Sequence, residues 1–177
     1  PTHNAAGYWE FDGTNDYITM PAVLPAGADT FTIEAWVRRT GNNSINTAQV
    51  IWEQNTIGQT NSTRASLLAN TSGLVSFSGQ SCDRDMGYTL VDNEWTYLVC
   101  TVDTSDGTNP IKFYLNGDFY SQGQTSPFAA SSLNIGTYHC GIGRKFPSNA
   151  GNPEWWNGDI GEVRIYPRAL TPAQVFQ

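Results

Sequence analysis

The sequence predicts an all-β fold, a two-sheet antiparallel jelly-roll sandwich with at most one short C-terminal helical turn. Two observations carry this prediction: short segments of alternating apolar and polar residues, and the turn residues that separate them. In residues 31–37 the apolar side chains share one face of a strand, whereas Glu34 and Trp36 fall on the other face. Such a strand has one side in a core and one side turned away from it.

The turns support the same fold class. Asn116-Gly117, after the strand predicted at residues 111–115, is typical of a two-residue hairpin because both positions tolerate a positive φ. At the other end of the chain, Thr171 followed by Pro172 predicts one capped helical turn. Many short strands joined by such turns indicate a sandwich or jelly roll.

Length and composition limit the function. A chain of 177 residues predicts one domain, residues 1–177. The net charge of −7, with only two lysines among nine basic residues, argues against nucleic acids and anionic membrane surfaces as partners. No apolar run is long enough to span a membrane. Six tryptophans exceed what a small β core needs, and surplus aromatic rings on a polar surface favour ligand stacking.

Five stretches, in this order and spacing, resemble the bacterial laminin-G-like form of the concanavalin A-like lectin/glucanase superfamily. They are residues 11–18 (FDGTNDYI), 31–37 (FTIEAWV), 94–103 (EWTYLVCTVD), 113–117 (FYLNG) and 156–171 (WNGDIGEVRIYPRALT). The resemblance implies a curved two-sheet jelly roll, often an accessory domain of secreted enzymes or adhesins. It does not name a ligand, because the superfamily includes lectins, carbohydrate-binding modules, hydrolases, lyases and protein-binding domains.

The resemblance also implies a structural calcium ion at the edge of the sandwich. The matching oxygen donors are Asp12, Gly13 through its carbonyl, Asp29 and Glu162. Calcium accepts six to eight scattered oxygen ligands, so no compact motif is required. The alternative is that Asp12 is a turn residue and that Glu162 pairs with Arg164 or Arg168.

Three cysteines leave one thiol outside any single bridge. Cys100 lies in an apolar run, where a buried cysteine acts as a small hydrophobic residue. Cys82 and Cys140 lie in polar, glycine-rich segments, which predicts a Cys82–Cys140 disulfide and an oxidising compartment. The alternative is three reduced thiols in the cytosol.

Two predicted loops, residues 79–88 and 136–158, are unusually long, and long loops on a rigid sandwich often carry function. The second loop supplies the predicted ligand contacts, which are Tyr138, His139, Arg144, Asn152 and Trp155. The disulfide would bring Arg84 and Asp85 alongside them. Aromatic faces with planar polar groups suit sugar rings. The alternative is a lid that packs on itself around Trp155.

These observations favour a non-catalytic, lectin-like carbohydrate-binding module of a secreted or cell-surface protein. A tether to a larger protein is part of this expectation. Trp36 and Trp95 are assigned to the core strands, which leaves Trp155 as the surplus ring. If Trp155 is instead a packing residue, the site is expected near Trp36 and Trp52. A protein-binding adhesion domain is one alternative. A hydrolase or lyase is another, although no segment carries the Glu-x-Asp-x-Glu arrangement of the related glucanases.

Overall fold

A computed structural model describes residues 1–42, 48–55, 64–79, 83–122, 133, 135–145 and 154–175. Within these residues, thirteen strands form two antiparallel sheets. The first sheet has seven strands, in the spatial order β1 (Thr2–His3), β2 (Trp9–Asp12), β13 (Asn157–Tyr166), β4 (Thr30–Arg39), β9 (Trp95–Asp103), β10 (Ile111–Leu115) and β11 (Asp118–Gln122). The second has six, in the order β3 (Ile18–Met20), β12 (His139–Ile142), β5 (Ala48–Asn55), β6 (Ala65–Asn70), β7 (Leu74–Gly79) and β8 (Arg84–Thr89).

The main core lies between the two sheets. The apolar face predicted for residues 31–37 is fully buried in it. The Phe31 ring on β4 lies 6.1 Å from the Phe77 ring on β7, which joins the sheets across the core. Trp156, which directly precedes β13, is also fully buried. The predicted all-β, two-sheet jelly-roll sandwich is confirmed.

A second, smaller apolar cluster lies on the outer face of the seven-stranded sheet. Its buried members are Val99, Tyr114, Leu170 and Val175. The last two belong to the C-terminal segment with helix α1 (Pro172–Val175), which covers this part of β9 and β10. As predicted, Thr171 begins the helix, and the Gln174 side chain accepts the Thr171 N–H at 3.0 Å, which is half of a capping box. No helix among the described residues is long and apolar enough to cross a membrane.

The hairpin between β10 and β11 has the predicted turn. Asn116 and Gly117 have φ values of 52° and 94°, the conformation that favours this residue pair. The Asn116 side-chain oxygen accepts the backbone N–H of Tyr97 at 3.0 Å, and the Asn116 N–H donates to the Tyr97 carbonyl at 2.9 Å. These two bonds fix the turn beside β9.

The two segments predicted as long loops both contain strands. β8 begins within residues 79–88 and ends at Thr89. β12 lies within residues 136–158, where it pairs with β3 on one side and β5 on the other. Cys140 is therefore a strand residue, only 1% exposed, and its thiol is free. β8, the strand after Cys82 in sequence, is four strand spacings from β12, roughly 19 Å.

The predicted Cys82–Cys140 disulfide is therefore wrong for Cys140, because bridged cysteines need Cα atoms within about 7 Å of each other. Cys82 itself lies outside the described residues. Cys100 is buried in β9, as predicted.

We expect Cys140 to resist alkylation in the folded protein and to react after unfolding without any reductant. Burial raises the pKa of its thiol to about 11, so little reactive thiolate forms at pH 8. Mass spectrometry of iodoacetamide-treated protein, folded and in denaturant, measures both states. A Cys140 that reacts in denaturant only after reduction would mean that it is bridged.

Candidate functional site

Trp155 lies in a small cluster at the edge of the six-stranded sheet. The Arg144 guanidinium lies 4.7 Å from the centre of the Tyr17 ring and 4.9 Å from that of Trp155, and the two rings are 5.7 Å apart. Arg144 and Trp155 also form an isolated β-bridge, followed by an ion pair of 2.9 Å between Lys145 and Glu154. Trp155 thus already packs against an arginine and a tyrosine of its own chain, as the lid alternative expects.

Of the other predicted contacts, His139 lies near enough to this cluster for the charge of Arg144 to act on it. Tyr138 and His139 lie at the opposite end of β12, where Tyr138 is 65% exposed and its ring contacts that of His139. Burial lowers the pKa of His139, and the positive charge of Arg144 lowers it further. Asn152 lies outside the described residues.

Arg84 and Asp85 are placed on β8, at the far edge of the six-stranded sheet from β12. The Asp85 carboxylate accepts the Ser76 hydroxyl at 2.6 Å. These residues were expected near the Trp155 loop only because the disulfide would hold them there. Without the disulfide that expectation has no basis. Of the six predicted ligand residues that the structure describes, Arg84 and Asp85 are separated from the other four by the width of the sheet.

The predicted calcium ligands are also dispersed. Asp12 pairs with Asn157 at one end of β13, Glu162 lies five residues further along, roughly 16 Å away, and Asp29 precedes β4 at the far end of the sheet. The Asp12 carboxylate accepts two backbone N–H groups of the turn that contains Gly13, which holds its pKa below the usual value. No group of three or more His, Cys, Asp or Glu side chains is placed to hold a metal among the described residues. The four residues do not fit calcium as a set.

A row of aromatic rings lies on the outer face of the seven-stranded sheet instead. Trp36 on β4 and Tyr97 on β9 are direct cross-strand partners, and their rings stack with centroids 5.2 Å apart and planes 22° from parallel. Trp36 is 43% exposed although its strand has neighbours on both sides, so it belongs to a core strand but lies on the face turned away from the core, as the alternation predicts. Trp95 and Tyr8 continue the row, with ring centroids 5.3 Å apart.

Three adjoining cavities, of about 310, 370 and 340 Å³, follow this row across the sheet. The first two share Trp36 and Glu162, and the last two share Glu34, Tyr97 and Arg164. We call the three together the outer groove. From one end to the other, it is lined in turn by Tyr8, Trp95, Trp36, Glu162, Tyr97, Glu34, Arg164 and Arg168.

Glu34 places a carboxylate at the floor of the outer groove, where it is only 4% exposed. A buried carboxylate is costly unless it is paired and hydrogen-bonded. The Tyr166 hydroxyl donates to it at 3.3 Å, and the Arg164 guanidinium faces it across the strands at 3.9 Å. Burial, and then the charge of Glu34, raises the pKa of Tyr97, so this hydroxyl remains a proton donor rather than a base.

Glu162 reaches the outer groove because of a bulge in β13. The register between β13 and β4 shifts between Ile160 and Val163, which places Gly161 beside Trp36. A Cβ at position 161 would lie 3.3 Å from the Trp36 Cβ. Glu162 forms a bidentate pair with Arg164, at 2.8 and 2.7 Å, which is the alternative to calcium binding.

Sequence reasoning gave this region only as a fallback, near Trp36 and Trp52, and Trp52 is fully buried in the core. One signal for the groove was present. A tryptophan on the polar face of an alternating strand, beside Glu34, is not needed for the core. The sequence could not show which residues surround Trp36. Trp36 contacts Tyr97 because β4 pairs with β9, and it lies beside Gly161 because β13 is bulged.

Solved structures with this fold include two domains with a bound oligosaccharide and a pair of laminin domains. Domain 4 of AbnA, an extracellular arabinanase from Geobacillus stearothermophilus in complex with arabinotriose, is 21% identical over 96% of this chain and 78% of that one, with a TM-score of 0.63. The CBM40 of a Ruminococcus gnavus IT-sialidase, bound to α2,3 sialyllactose, is 12% identical over 96% of each chain, with a TM-score of 0.64. Domains LG4-5 of the mouse laminin α1 chain are 15% identical over 98% of this chain and 45% of that one, with a TM-score of 0.65. At these identities the likeness shows the fold alone.

The sequence itself gives the family. No curated protein matches it significantly. Residues 12–176, nearly the whole chain, match the Laminin_G_3 family, described as the concanavalin A-like lectin/glucanases superfamily. The chain therefore belongs to the laminin-G-like branch of the concanavalin A-like lectin/glucanase superfamily.

Proposed function

We propose that the chain is a non-catalytic module that binds an oligosaccharide in the outer groove. The observation that carries this proposal is the half-exposed Trp36, stacked on Tyr97 above the buried carboxylate of Glu34. The C–H face of a sugar ring stacks on an indole, while its hydroxyls donate to carboxylates and accept from guanidinium and phenol groups. The groove offers all of these within one lining.

The shape of the site supports a chain rather than a single sugar. The outer groove extends from Trp95, the cross-strand partner of Arg38, to Tyr166, the partner of Thr32. These positions are six residue spacings apart along β4, roughly 20 Å. The aromatic row occupies one half of this length and the charged and hydroxyl groups occupy the other. The stacked rings are held by the sheet, so little side-chain freedom is lost on binding.

The carboxylates favour binding over hydrolysis. A glycosidase needs two carboxyl groups on either side of the scissile bond, about 5 to 10 Å apart with open space between them. Glu34 and Glu162 both lie in the outer groove, but the Arg164 guanidinium contacts both of them and fills the space between them. A lyase would need a tyrosine that gives up its proton easily and then acts as the base. The pKa of Tyr97 is raised, which is the wrong direction for proton abstraction.

NMR titration of the six indole N–H signals tests this proposal, after a glycan array has identified an oligosaccharide that binds. We expect the signals of Trp36 and Trp95 to shift with the ligand, while the signal of Trp155 stays in place as an internal control. Shifts confined to Trp155 would mean that the ligand binds at the edge of the six-stranded sheet and not in the outer groove. No glycan bound on the array would remove the function, and capture of a protein ligand instead would favour an adhesion domain.

Two further parts of the proposal concern the location of the module and its metal content. We propose that the module acts outside the cell or at its surface, attached to a larger protein. Calcium stays a prediction for which the described residues provide no convergent ligand set. Repeating the titration and a thermal melt in excess EDTA tests it, because an ion bound only by the folded state raises the melting temperature.

A further inference from the structure

The outer groove is electrically asymmetric. The cavity beside Trp95 has one charged side chain, Glu162, among its described lining residues. The cavity at the other end is lined by Glu34, Arg164 and Arg168, which gives one net positive charge. A locally positive cavity is informative in a chain whose net charge is −7.

Arg168 is the source of this positive charge. Arg164 is balanced by Glu34 and Glu162, and on the same sheet face Arg38 is balanced by Asp159 at 2.6 Å. Among the described residues, no carboxylate forms an ion pair with Arg168; its guanidinium donates instead to the neutral Gln174 side chain at 2.9 Å. Its charge is therefore available to a ligand.

The position of Arg168 is fixed before any ligand arrives. Its backbone carbonyl accepts the Thr32 hydroxyl at 2.9 Å, and the same hydroxyl accepts the Leu170 N–H at 2.9 Å, so the segment is held on β4. Gln174, which holds the guanidinium, is itself bonded to the Thr171 N–H at the start of α1. A cation held in this way loses little freedom on binding an anion.

We propose that the outer groove selects an oligosaccharide carrying an anionic substituent, a carboxylate or a sulfate, which Arg168 binds while a sugar ring stacks on Trp36. This inference rests on the proposed function. It adds the chemical class of the oligosaccharide and the orientation in which it binds. Because the cation of Arg168 lies at one end of the groove and the rings of Trp95 and Tyr8 lie at the other, the chain binds in one orientation. Charged guanidinium–oxyanion bonds are stronger than neutral ones and are often bidentate.

The test uses immobilised glucuronoxylan, polygalacturonate, sialyllactose and chondroitin sulfate, each beside its carboxyl-reduced or desulfated counterpart. We expect the unmodified protein to bind at least one anionic form about three- to tenfold more tightly than its neutral counterpart, as for a charge-assisted bond in a partly exposed site. Arg168→Gln should bind both forms equally, at the level of the neutral one. Raising NaCl should reduce the preference, since salt screens exposed charges.

Arg84→Gln, on β8 of the other sheet, is the matched control and should keep the preference. A protein with no preference for the anionic forms, or a preference that survives Arg168→Gln, overturns the inference and leaves the groove itself intact. Failure of the proposed function is a different result: no form bound at all, or binding unaffected by loss of Trp36. Comparison of the carboxyl-reduced and desulfated forms identifies which anion is selected.

Discussion

Trp36→Ala should abolish detectable glycan binding while leaving the protein folded. Aromatic anchors of this kind contribute about 2–3 kcal/mol when truncated, which corresponds to roughly a 30- to 150-fold loss of affinity. Protein–sugar contacts with one stacked ring are weak at the outset, so such a loss moves them beyond the range of calorimetry. Isothermal titration with the best oligosaccharide from the array measures the effect.

The same variant should cost little stability. Trp36 is 43% exposed, and what it loses inside the protein is mainly its stacking on Tyr97, worth about 0.5–1.5 kcal/mol. For a chain of this size that lowers the melting temperature by only about 2–5 °C. Tyr138→Ala, which removes a ring that is 65% exposed and outside the outer groove, is the matched control and should bind normally. Normal binding by Trp36→Ala would disprove the proposed site.

Gly158→Ala should destabilise the fold by about 3–5 kcal/mol, which is large for a single methyl group. Gly158 lies in β13 between Phe11 of β2 and Arg39 of β4, with φ at 136°, a conformation that L-residues rarely adopt. A Cβ there would lie 2.2 Å from the Arg38 carbonyl oxygen and 2.9 Å from the Thr40 nitrogen. Both are backbone atoms, so relief requires separation of β13 from β4.

Thermal and urea unfolding measure this effect, and we expect the melting temperature to fall by about 10 °C or more. Gly107→Ala is the matched control, because no atom lies within 4 Å of a Cβ at that position. It should leave the melting temperature nearly unchanged. Equal stability of the two variants would mean that the β13–β4 pairing tolerates a shift that its geometry excludes.

Local sequence patterns were sufficient for the elements with strong periodicity or turn chemistry. The alternating residues 31–37, the Asn116-Gly117 hairpin and the capped turn at Thr171 all agree with the structure. β12 and β8 were missed because they are short and contain glycine and polar residues, which predict loops when considered alone. They are strands because their neighbours in the sheet supply hydrogen-bond partners and, for Cys140, an apolar cavity to fill.

The candidate site was less predictable because it depends on non-local pairing. Glu34, Tyr97 and Arg164 are far apart in sequence, and they meet because β13, β4 and β9 are adjacent. Adjacency of the Trp155 loop and Arg84 was inferred through a single assumed disulfide, so one wrong bond displaced two of the seven predicted contacts, Arg84 and Asp85. Trp36 was recognised as a fallback, which the exposed side of its strand justified.

The C-terminal segment sets a limit on how this module can be trimmed or fused. Leu170 and Val175 keep water from Val99 and Tyr114, and the same segment forms the end wall of the outer groove. A version cut before Leu170 would leave an apolar strip on an otherwise hydrophilic surface, which favours self-association. It would also open the groove at its cationic end. The shortened protein would therefore lose both its solubility and its preference for anionic ligands. Cloning boundaries for this module therefore belong after Val175.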